Sequence, residues 1–326
     1  MQSRIAFVAI VVMAGLQLEL GAPDASAFTA YVSNEKDNTI SVVDLDKMQT
    51  IGTIPVGQRP RGIVLSKDSK LLYVCTGDSN HVEVVDLNTG KVSQILPSGP
   101  DPEFFALDRE GARLFVANED DAMVSVLDLK QGTKVNEIPV GVEPEGMAVS
   151  PDGKWLVATS ETTGMAHFID LDRQQAVANI LVDSRPRFAE FTPDNSQVWV
   201  SSEINGTVSV IDVAGRKIVR KIQFAVPGIS QELIQAVGLA MTNDGATAFV
   251  ALGPANRVAV VNMKTYEVEK YLLVGQRVWH MAFTPDQKVL VTTNGETNDI
   301  SIIDVESRKV VRSIPVGQLP WGVVVR

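Results

Sequence analysis

The sequence predicts an all-β fold, a seven-bladed β-propeller made of four-stranded blades. Three observations predict it: a repeat of nearly constant length, β-strand patterns inside each repeat, and chain ends that together supply one blade. Each repeat contains an apolar segment that ends in an acid or amide, as in "SVVDL" and "SVLDL". These anchor residues are Asp44, Asp86, Asp128, Asp170, Asp212, Asn262 and Asp304. Successive anchors are 42 residues apart five times and 50 apart once, a period typical of propeller blades.

Each repeat has room for four strands. After Asp128 the sequence predicts strands at Lys134–Val140, Glu145–Ser150, Trp155–Ser160 and Met165–Leu171. These segments are rich in Val and Ile, and they alternate apolar and polar residues in the manner of half-buried strands. The "PDG" turn between the second and third of them has the chemistry of a tight hairpin.

The two chain ends predict how the ring closes. Residues 28–56 contain only three strands of a blade, and the chain stops after one further strand, Pro320–Arg326. The last strand is therefore expected to complete the first blade as its innermost strand. Closure of this kind removes the exposed sheet edges that make β proteins prone to association.

The first 27 residues are expected to be a secretory signal peptide. Arg4 precedes an apolar core at Ile5–Leu18, and Ala25-Ser26-Ala27 is a cleavage site of the A-x-A kind. The apolar core is too short for an ordinary membrane span. We therefore expect export, cleavage between Ala27 and Phe28, no membrane span afterwards, and one propeller domain over residues 28–326.

Charge and cysteine content exclude several classes of function. The formal net charge is −10, whereas proteins that bind nucleic acid need a basic surface. Cys75 is the only cysteine, so the chain has no internal disulfide and no paired-cysteine site for zinc or c-type haem.

A glutamate recurs in the loop between the second and third strands of a blade. Nine residues before the anchor stand Glu35, Glu119, Glu161 and Glu203, with glycine in the other three blades. These loops are expected at the mouth of the central channel. Convergent carboxylates there would suit a hard cation with oxygen ligands. The alternative is that acidic residues serve only as solvated turn formers.

Large or charged residues also recur where the innermost strands begin. Seventeen residues after six anchors stand Arg61, Glu103, Glu145, Arg187, Trp279 and Trp321, and three blades carry an arginine two residues earlier, at Arg59, Arg185 and Arg277. Guanidinium groups bind carboxylates in bidentate fashion, and tryptophan offers a flat stacking surface. The sequence thus predicts an anion-binding site at the channel mouth. Ion pairs between neighbouring blades, Arg61 with Glu103 and Arg187 with Glu145, are the alternative.

The one long spacing places an eight-residue insertion near Val226–Gln235. It lies between an outer strand and the next innermost strand, so it is expected on the same mouth. Ser230 is a candidate N-cap for a short helical turn that ends at Ile234. A lid, a partner-docking segment and a loop without function all fit this position.

Several segments resemble a known family. "YVSN", "YVCTGD" and the recurring "IPVG…P" are similar to YVTN-type β-propeller repeats, over essentially all of residues 28–326. More narrowly, Phe249–Val261, Arg277–Asp286 and Ile314–Val325 resemble periplasmic propellers associated with catabolism that depends on pyrroloquinoline quinone (PQQ). The resemblance implies a periplasmic location and a pathway, and it supplies no catalytic residues.

The expected function is non-enzymatic: a ligand-binding or accessory protein in PQQ-dependent oxidation of alcohols. Arg61, Arg187, Trp279 and Trp321 would suit PQQ, a planar tricarboxylate, with Ca²⁺ or a lanthanide as a further ligand. A PQQ-dependent dehydrogenase, its cytochrome or a small anion is the expected partner.

Two other classes of function remain open. One is a propeller hydrolase of lactonase type, for which Glu103, Glu145 and His280 are the candidate acid–base groups. The other is a pure protein-interaction scaffold.

Overall fold

The computed structural model describes residues 28–326, which form seven four-stranded antiparallel sheets arranged as a propeller. The predicted fold class is therefore confirmed. The predicted signal peptide lies outside the described residues. Helical structure among residues 28–326 is confined to three single 3₁₀ turns at Gly77–Ser79, Glu119–Asp121 and Gln231–Leu233. None of the described helices has the length and apolar character needed to cross a membrane.

The strands of the first four blades follow in chain order. They are β1 (Thr29–Asn34), β2 (Thr39–Asp44), β3 (Gln49–Pro55), β4 (Pro60–Leu65), β5 (Leu71–Thr76), β6 (His81–Asp86), β7 (Lys91–Pro97), β8 (Pro102–Leu107), β9 (Arg113–Asn118), β10 (Met123–Asp128), β11 (Thr133–Pro139), β12 (Pro144–Val149), β13 (Trp155–Ser160), β14 (Met165–Asp170) and β15 (Gln175–Leu181).

The remaining three blades and the closing strand are built in the same way. Their strands are β16 (Pro186–Phe191), β17 (Gln197–Ser202), β18 (Thr207–Asp212), β19 (Lys217–Gln223), β20 (Leu239–Met241), β21 (Thr247–Ala251), β22 (Arg257–Asn262), β23 (Val268–Leu273), β24 (Val278–Phe283), β25 (Val289–Asn294), β26 (Asp299–Asp304), β27 (Lys309–Pro315) and β28 (Pro320–Val325).

The ring closes as the chain ends predict. Strand β28 pairs antiparallel with β1, so that Val325 faces Ala30 and Val324 faces Tyr31. The sheet order β28-β1-β2-β3 makes the last strand the innermost strand of the first blade.

The anchor residues are explained by the turn that follows them. The Asp44 carboxylate accepts the backbone N–H groups of Asp46 and Lys47, at 3.1 and 2.8 Å. Asn262 does the same for Lys264 and Thr265. The turn into the outermost strand needs a short side chain with an acceptor oxygen to hold it. Because every blade contains this turn, an Asp or Asn recurs at the same position in each repeat.

The core consists of layers between neighbouring blades. Phe115 and Val126 of one blade pack with Met147 and Leu156 of the next, and all four are buried. The second and third strands of each blade are almost wholly buried, whereas the outermost strands are mostly exposed.

An irregularity in the innermost strands shapes the channel. In β4 the pairing register shifts between Pro60 and Ile63, and β8, β12, β16 and β24 show the same shift near their first residues. A β-bulge of this kind re-aims side chains. Two successive residues can then contribute to the channel lining instead of alternate ones.

Candidate functional site

The two predicted sets of loops meet at one end of the channel. Glu35 Oε1 lies 3.3 Å from Arg61 Nη2, and Glu161 contacts Arg187. The glutamates at the second-to-third-strand loops therefore lie against the residues that begin the innermost strands. We call this charged end of the channel the mouth, and its members are Glu35, Arg59, Arg61, Glu103, Glu119, Glu145, Glu161, Arg185, Arg187, Glu203 and Arg277.

One half of the mouth is organised around Glu103. This carboxylate is fully buried, and its two oxygens face Arg61 Nη1 at 2.5 Å and Arg59 Nη1 at 2.9 Å. Arg59 also contacts Asp101. A buried carboxylate is tolerated only with such compensation, so the two arginines and Glu103 form one structural unit.

The other half of the mouth is organised around Arg187, whose side chain is 5% exposed. Its Nη2 lies 2.7 Å from Glu145 Oε1, its Nη1 contacts Glu161, and its Nε lies 3.6 Å from Glu203 Oε2. Ion pairs between neighbouring blades, Arg61–Glu103 and Arg187–Glu145, are therefore present.

Each half also contains a pair of carboxyl groups whose pKa values are shifted in opposite directions. Burial and the nearby Glu103 carboxylate raise the pKa of Glu119 to about 7. For Glu103 the Arg61 and Arg59 charges outweigh burial and lower its pKa. Burial raises the pKa of Glu145 well above its usual range, helped by a hydrogen bond with Glu161. That bond and the Arg187 charge outweigh burial at Glu161 and lower its pKa.

A cavity of about 420 Å³ opens at the mouth between the two halves. Glu119, Glu143, Glu161 and Arg185 line it. Arg185 is the arginine with the most exposed side chain of the mouth, at 47%, and its Nε donates to Glu161 Oε2. The cavity thus presents a titratable carboxyl, a carboxylate and an accessible guanidinium to a small molecule.

The two predicted tryptophans occupy different positions. Trp279 is half-buried at the mouth, with the guanidinium carbons of Arg277 and Arg187 at 4.4 and 5.5 Å from its ring centroid. Trp321 is 1% exposed and lies inside the channel. Its ring centroid is 4.1 Å from that of His280.

Below the mouth, a ring of alternating glycine and aromatic-type residues closes the channel. The seven innermost strands and the segments leading into them place there Gly62, Phe104, Gly146, Phe188, Gly238, His280 and Gly322. Phe104, Phe188 and His280 contact one another with ring centroids 5.3 to 5.7 Å apart. The glycines are required because a Cβ on Gly146 would lie 2.7 Å from the Arg187 carbonyl oxygen.

His280 is the candidate acid–base group that the structure places least favourably. It is buried within the aromatic ring. Burial and the charges of Arg187 and Arg61 lower its pKa to about 3. An imidazole with this pKa is neutral at physiological pH and a weak base.

The insertion lies at the mouth. It contains the 3₁₀ turn Gln231–Leu233, with Ser230 at the N-cap position and Ile234 at the C-cap position, so the predicted helical turn is confirmed. The Ser230 side chain makes no capping hydrogen bond, so that part of the prediction is wrong. The turn is held by backbone hydrogen bonds instead, since the Ile234 N–H donates to the Gln231 carbonyl oxygen. Gln235 Oε1 accepts a hydrogen bond from Arg277 Nη1 at 2.8 Å, which ties the insertion to the charged network.

Three carboxyl groups at the mouth lie close enough together to be considered as cation ligands. Asp101, Glu103 and Glu119 bring carboxylate oxygens within 4.8 Å of one another. Two of the three are already neutralised, because Arg59 contacts both Asp101 and Glu103. A divalent cation would have to displace this guanidinium, so the cluster does not fit a resident metal.

The fold and the mouth define a class: a seven-bladed β-propeller whose channel opens into a site of paired carboxyls and arginines. Residues 105–288, more than half of the chain, match the family model of the choice-of-anchor I domain. The chain belongs to that family. Residues 25–98 also match the family model described as lactonase, 7-bladed β-propeller. No curated protein matches the chain significantly.

Several solved structures share the fold at low sequence identity. A candidate 6-phosphogluconolactonase from Bacteroides uniformis ATCC 8492 is 16% identical, with a TM-score of 0.77 over 92% of this chain and 99% of that one. Kuenenia stuttgartiensis hydrazine synthase is 21% identical, with a TM-score of 0.77 over 85% and 92%. The dihydro-heme d1 dehydrogenase NirN is 18% identical, with a TM-score of 0.68 over 90% and 74%.

The expected non-enzymatic role in PQQ-dependent oxidation is wrong. The lactonase family match over residues 25–98 favours the hydrolase alternative, and none of the family models or similar structures points to PQQ. Neither the resemblance to YVTN-type repeats nor the narrower resemblance to PQQ-associated propellers is confirmed. The structure gives a physical reason against PQQ binding. Arg61 and Arg187, the residues expected to bind its carboxylates, already face two and three glutamates respectively.

Proposed function

We propose that the protein is a lactonase-type hydrolase that opens an anionic lactone at the channel mouth. The observation that carries the proposal is Glu119. This partly exposed carboxyl lines the mouth cavity, and its pKa is raised to about 7. A general base is most effective when its pKa lies near the working pH.

The reaction needs one proton acceptor and one water. The Glu119 carboxylate takes a proton from the water as the water oxygen attacks the lactone carbonyl carbon. The carbonyl oxygen becomes an oxyanion. When this tetrahedral intermediate collapses, the ring C–O bond breaks and Glu119 returns the proton to the leaving alkoxide oxygen. The product is an open-chain hydroxy acid.

Arg185 and Arg187 have different roles in this proposal. Arg185 faces Glu161 and Glu203 through its Nε, so its Nη groups bind the anionic substituent of the substrate, for which a carboxylate or a phosphate is suitable. Arg187 is a positioning residue, because it is buried and holds Glu145 and Glu161 in place. Glu103 acts through its charge, which keeps the pKa of Glu119 high.

Two comparisons support the proposal. The N-terminal match is to a family described as lactonases, and a phosphorylated sugar lactone is the substrate implied by the name of the Bacteroides protein. Such a substrate has the negative charge that Arg185 would bind. We also propose that the N-terminal segment exports the chain to the periplasm.

The test is hydrolysis of a lactone panel by the purified protein. The panel contains glucono-δ-lactone, its 6-phosphate and γ-butyrolactone, with acid release followed at constant pH. We expect turnover of the phosphorylated lactone and a loss of about 100-fold or more in kcat/KM for Glu119→Gln. The control is Glu306→Gln, a substitution in an exposed turn, which should keep full activity. No turnover of any anionic lactone, or full activity of Glu119→Gln, would reject the proposal.

A further inference from the structure

The half of the channel beyond the Gly/aromatic ring is a second cavity. It has a volume of about 680 Å³ and shares no lining residue with the mouth. Ser66, Lys67 and Pro151 belong to its lining, and they lie in hairpin turns at the far ends of the innermost strands. The cavity therefore opens on the face opposite the mouth. We call it the lower chamber.

The wall of the lower chamber is apolar at an equivalent position in most blades. Two residues after the ring residue of each blade stand Val64, Ala106, Ala148, Ala240 and Ala282, all of which line it. The ceiling includes Phe188 from the aromatic ring. A volume between about 300 and 1,000 Å³ with mainly apolar walls is typical of small-molecule sites.

One blade breaks this pattern. At the same strand position β16 carries Glu190, which lines the chamber. Its Oε1 accepts the Met241 N–H at 3.3 Å, and it makes no other side-chain hydrogen bond and no ion pair with the described residues, Lys67 included. Burial raises the pKa of Glu190 to about 8. A carboxyl in such surroundings gains from a cationic partner brought by a ligand.

We propose that the lower chamber is a binding site for an apolar molecule with one cationic amine head, which pairs with Glu190. The apolar body of the ligand would fill the space between the small side chains of the wall. The ammonium group would pair with the carboxylate and supply the partner that this chain does not provide. The inference is independent of the hydrolase proposal, because the Gly/aromatic ring separates the two cavities.

The experiment is calorimetric titration of 4-phenylbutylamine into the chain from Phe28, with 4-phenylbutanol as the uncharged probe of the same shape. We expect saturable binding of the amine at one site and weaker binding of the alcohol. Glu190→Gln should reduce amine affinity about tenfold or more and leave alcohol affinity unchanged. Ala106→Phe, which fills the chamber, should weaken both probes.

Controls separate this site from others. Glu306→Gln removes an exposed carboxylate and should leave both affinities unchanged, and circular dichroism should show that each variant is folded. Absence of amine binding to the wild type would overturn the proposal. Equal amine affinity in Glu190→Gln, or unchanged affinity in a folded Ala106→Phe protein, would overturn it as well.

Discussion

The two halves of the channel are built on the same strands and differ in almost every physical property. At the mouth, the charges of arginines and glutamates compensate one another. The glutamates form pairs in which one pKa is raised and the other is lowered. In the lower chamber one carboxyl stands among small apolar side chains. The repeat therefore specifies the scaffold, while single positions along each innermost strand set the chemistry of each half.

The boundary between the halves explains how both can exist in one channel. The glycines let neighbouring innermost strands approach closely, and the side chains between them fill the axis. Burial and the Met241 N–H set the pKa of Glu190, with no contribution from a charge at the mouth. This separation makes the electrostatic environments of Glu119 and Glu190 independent.

The largest stability effect is expected from removing the arginine at the centre of the mouth. Arg187→Met leaves Glu145, Glu161 and Glu203 close together without their shared cation. Removal of one partner from a buried charge network costs about 3–5 kcal/mol, to be measured as the free energy of unfolding in urea. The matched control, Arg173→Met, removes a side chain that is 73% exposed, and it should cost under about 0.5 kcal/mol. A loss below about 1 kcal/mol for Arg187→Met would show that the network is not structural.

A smaller effect is expected at the boundary. Gly146→Ala would place a Cβ 2.7 Å from the Arg187 carbonyl oxygen and the Phe188 Cα. Overpacking of this kind costs about 1–3 kcal/mol, again measured by urea unfolding. Gly52→Ala serves as the control, because a Cβ there has nothing within 4 Å. Equal stability of the two variants would mean that the strands can separate and that the boundary is soft.

The smallest effect concerns the lower chamber and depends on pH. The pKa of Glu190 is raised to about 8 in the folded protein, above the value near 4.3 of an unfolded chain. Between these two pKa values the folded protein keeps a proton on Glu190 that the unfolded chain has lost. The stabilisation of the folded state by this proton is complete below about pH 4 and is lost as the pH rises toward 8. Glu190→Gln should therefore reduce the change in unfolding free energy between pH 5 and pH 8 by about 1–2 kcal/mol, a figure that allows for partial solvation of the carboxyl.

The wild-type and Glu190→Gln stabilities should be compared by thermal or urea unfolding across that pH range. Glu267→Gln, at an exposed position, should leave the slope unchanged. Identical slopes for wild type and Glu190→Gln would mean that Glu190 is already ionised in the folded protein.

The scaffold was predictable because one local interaction repeats. Every anchor residue holds its turn through a side-chain oxygen, as Asp44 does, so a constant spacing of anchors revealed the blades. Counting from the anchors also placed Glu161 and Arg187 in the same region. It also offered the pairs Arg61–Glu103 and Arg187–Glu145, both of which are present. It could not give the further contacts of Arg187 with Glu161, because the β-bulges decide how successive side chains are aimed.

The lower chamber was missed although the sequence contains its signal. The same counting places Phe104, Phe188 and His280 alternately with glycines, and it places Glu190 where other blades have alanine or valine. The prediction stopped at the first residues of the innermost strands. Positions deeper in these strands become informative only when the register is known.

The most direct test of a hydrolytic mouth is the pH dependence of kcat/KM for a phosphorylated lactone. In the proposed reaction Glu119 acts as a base and must be ionised, so activity should rise with pH through about 7 and then level off. The residual activity of Glu119→Gln should lack this inflection. A flat wild-type profile, or the same inflection in Glu119→Gln, would contradict the assignment of Glu119 as the base.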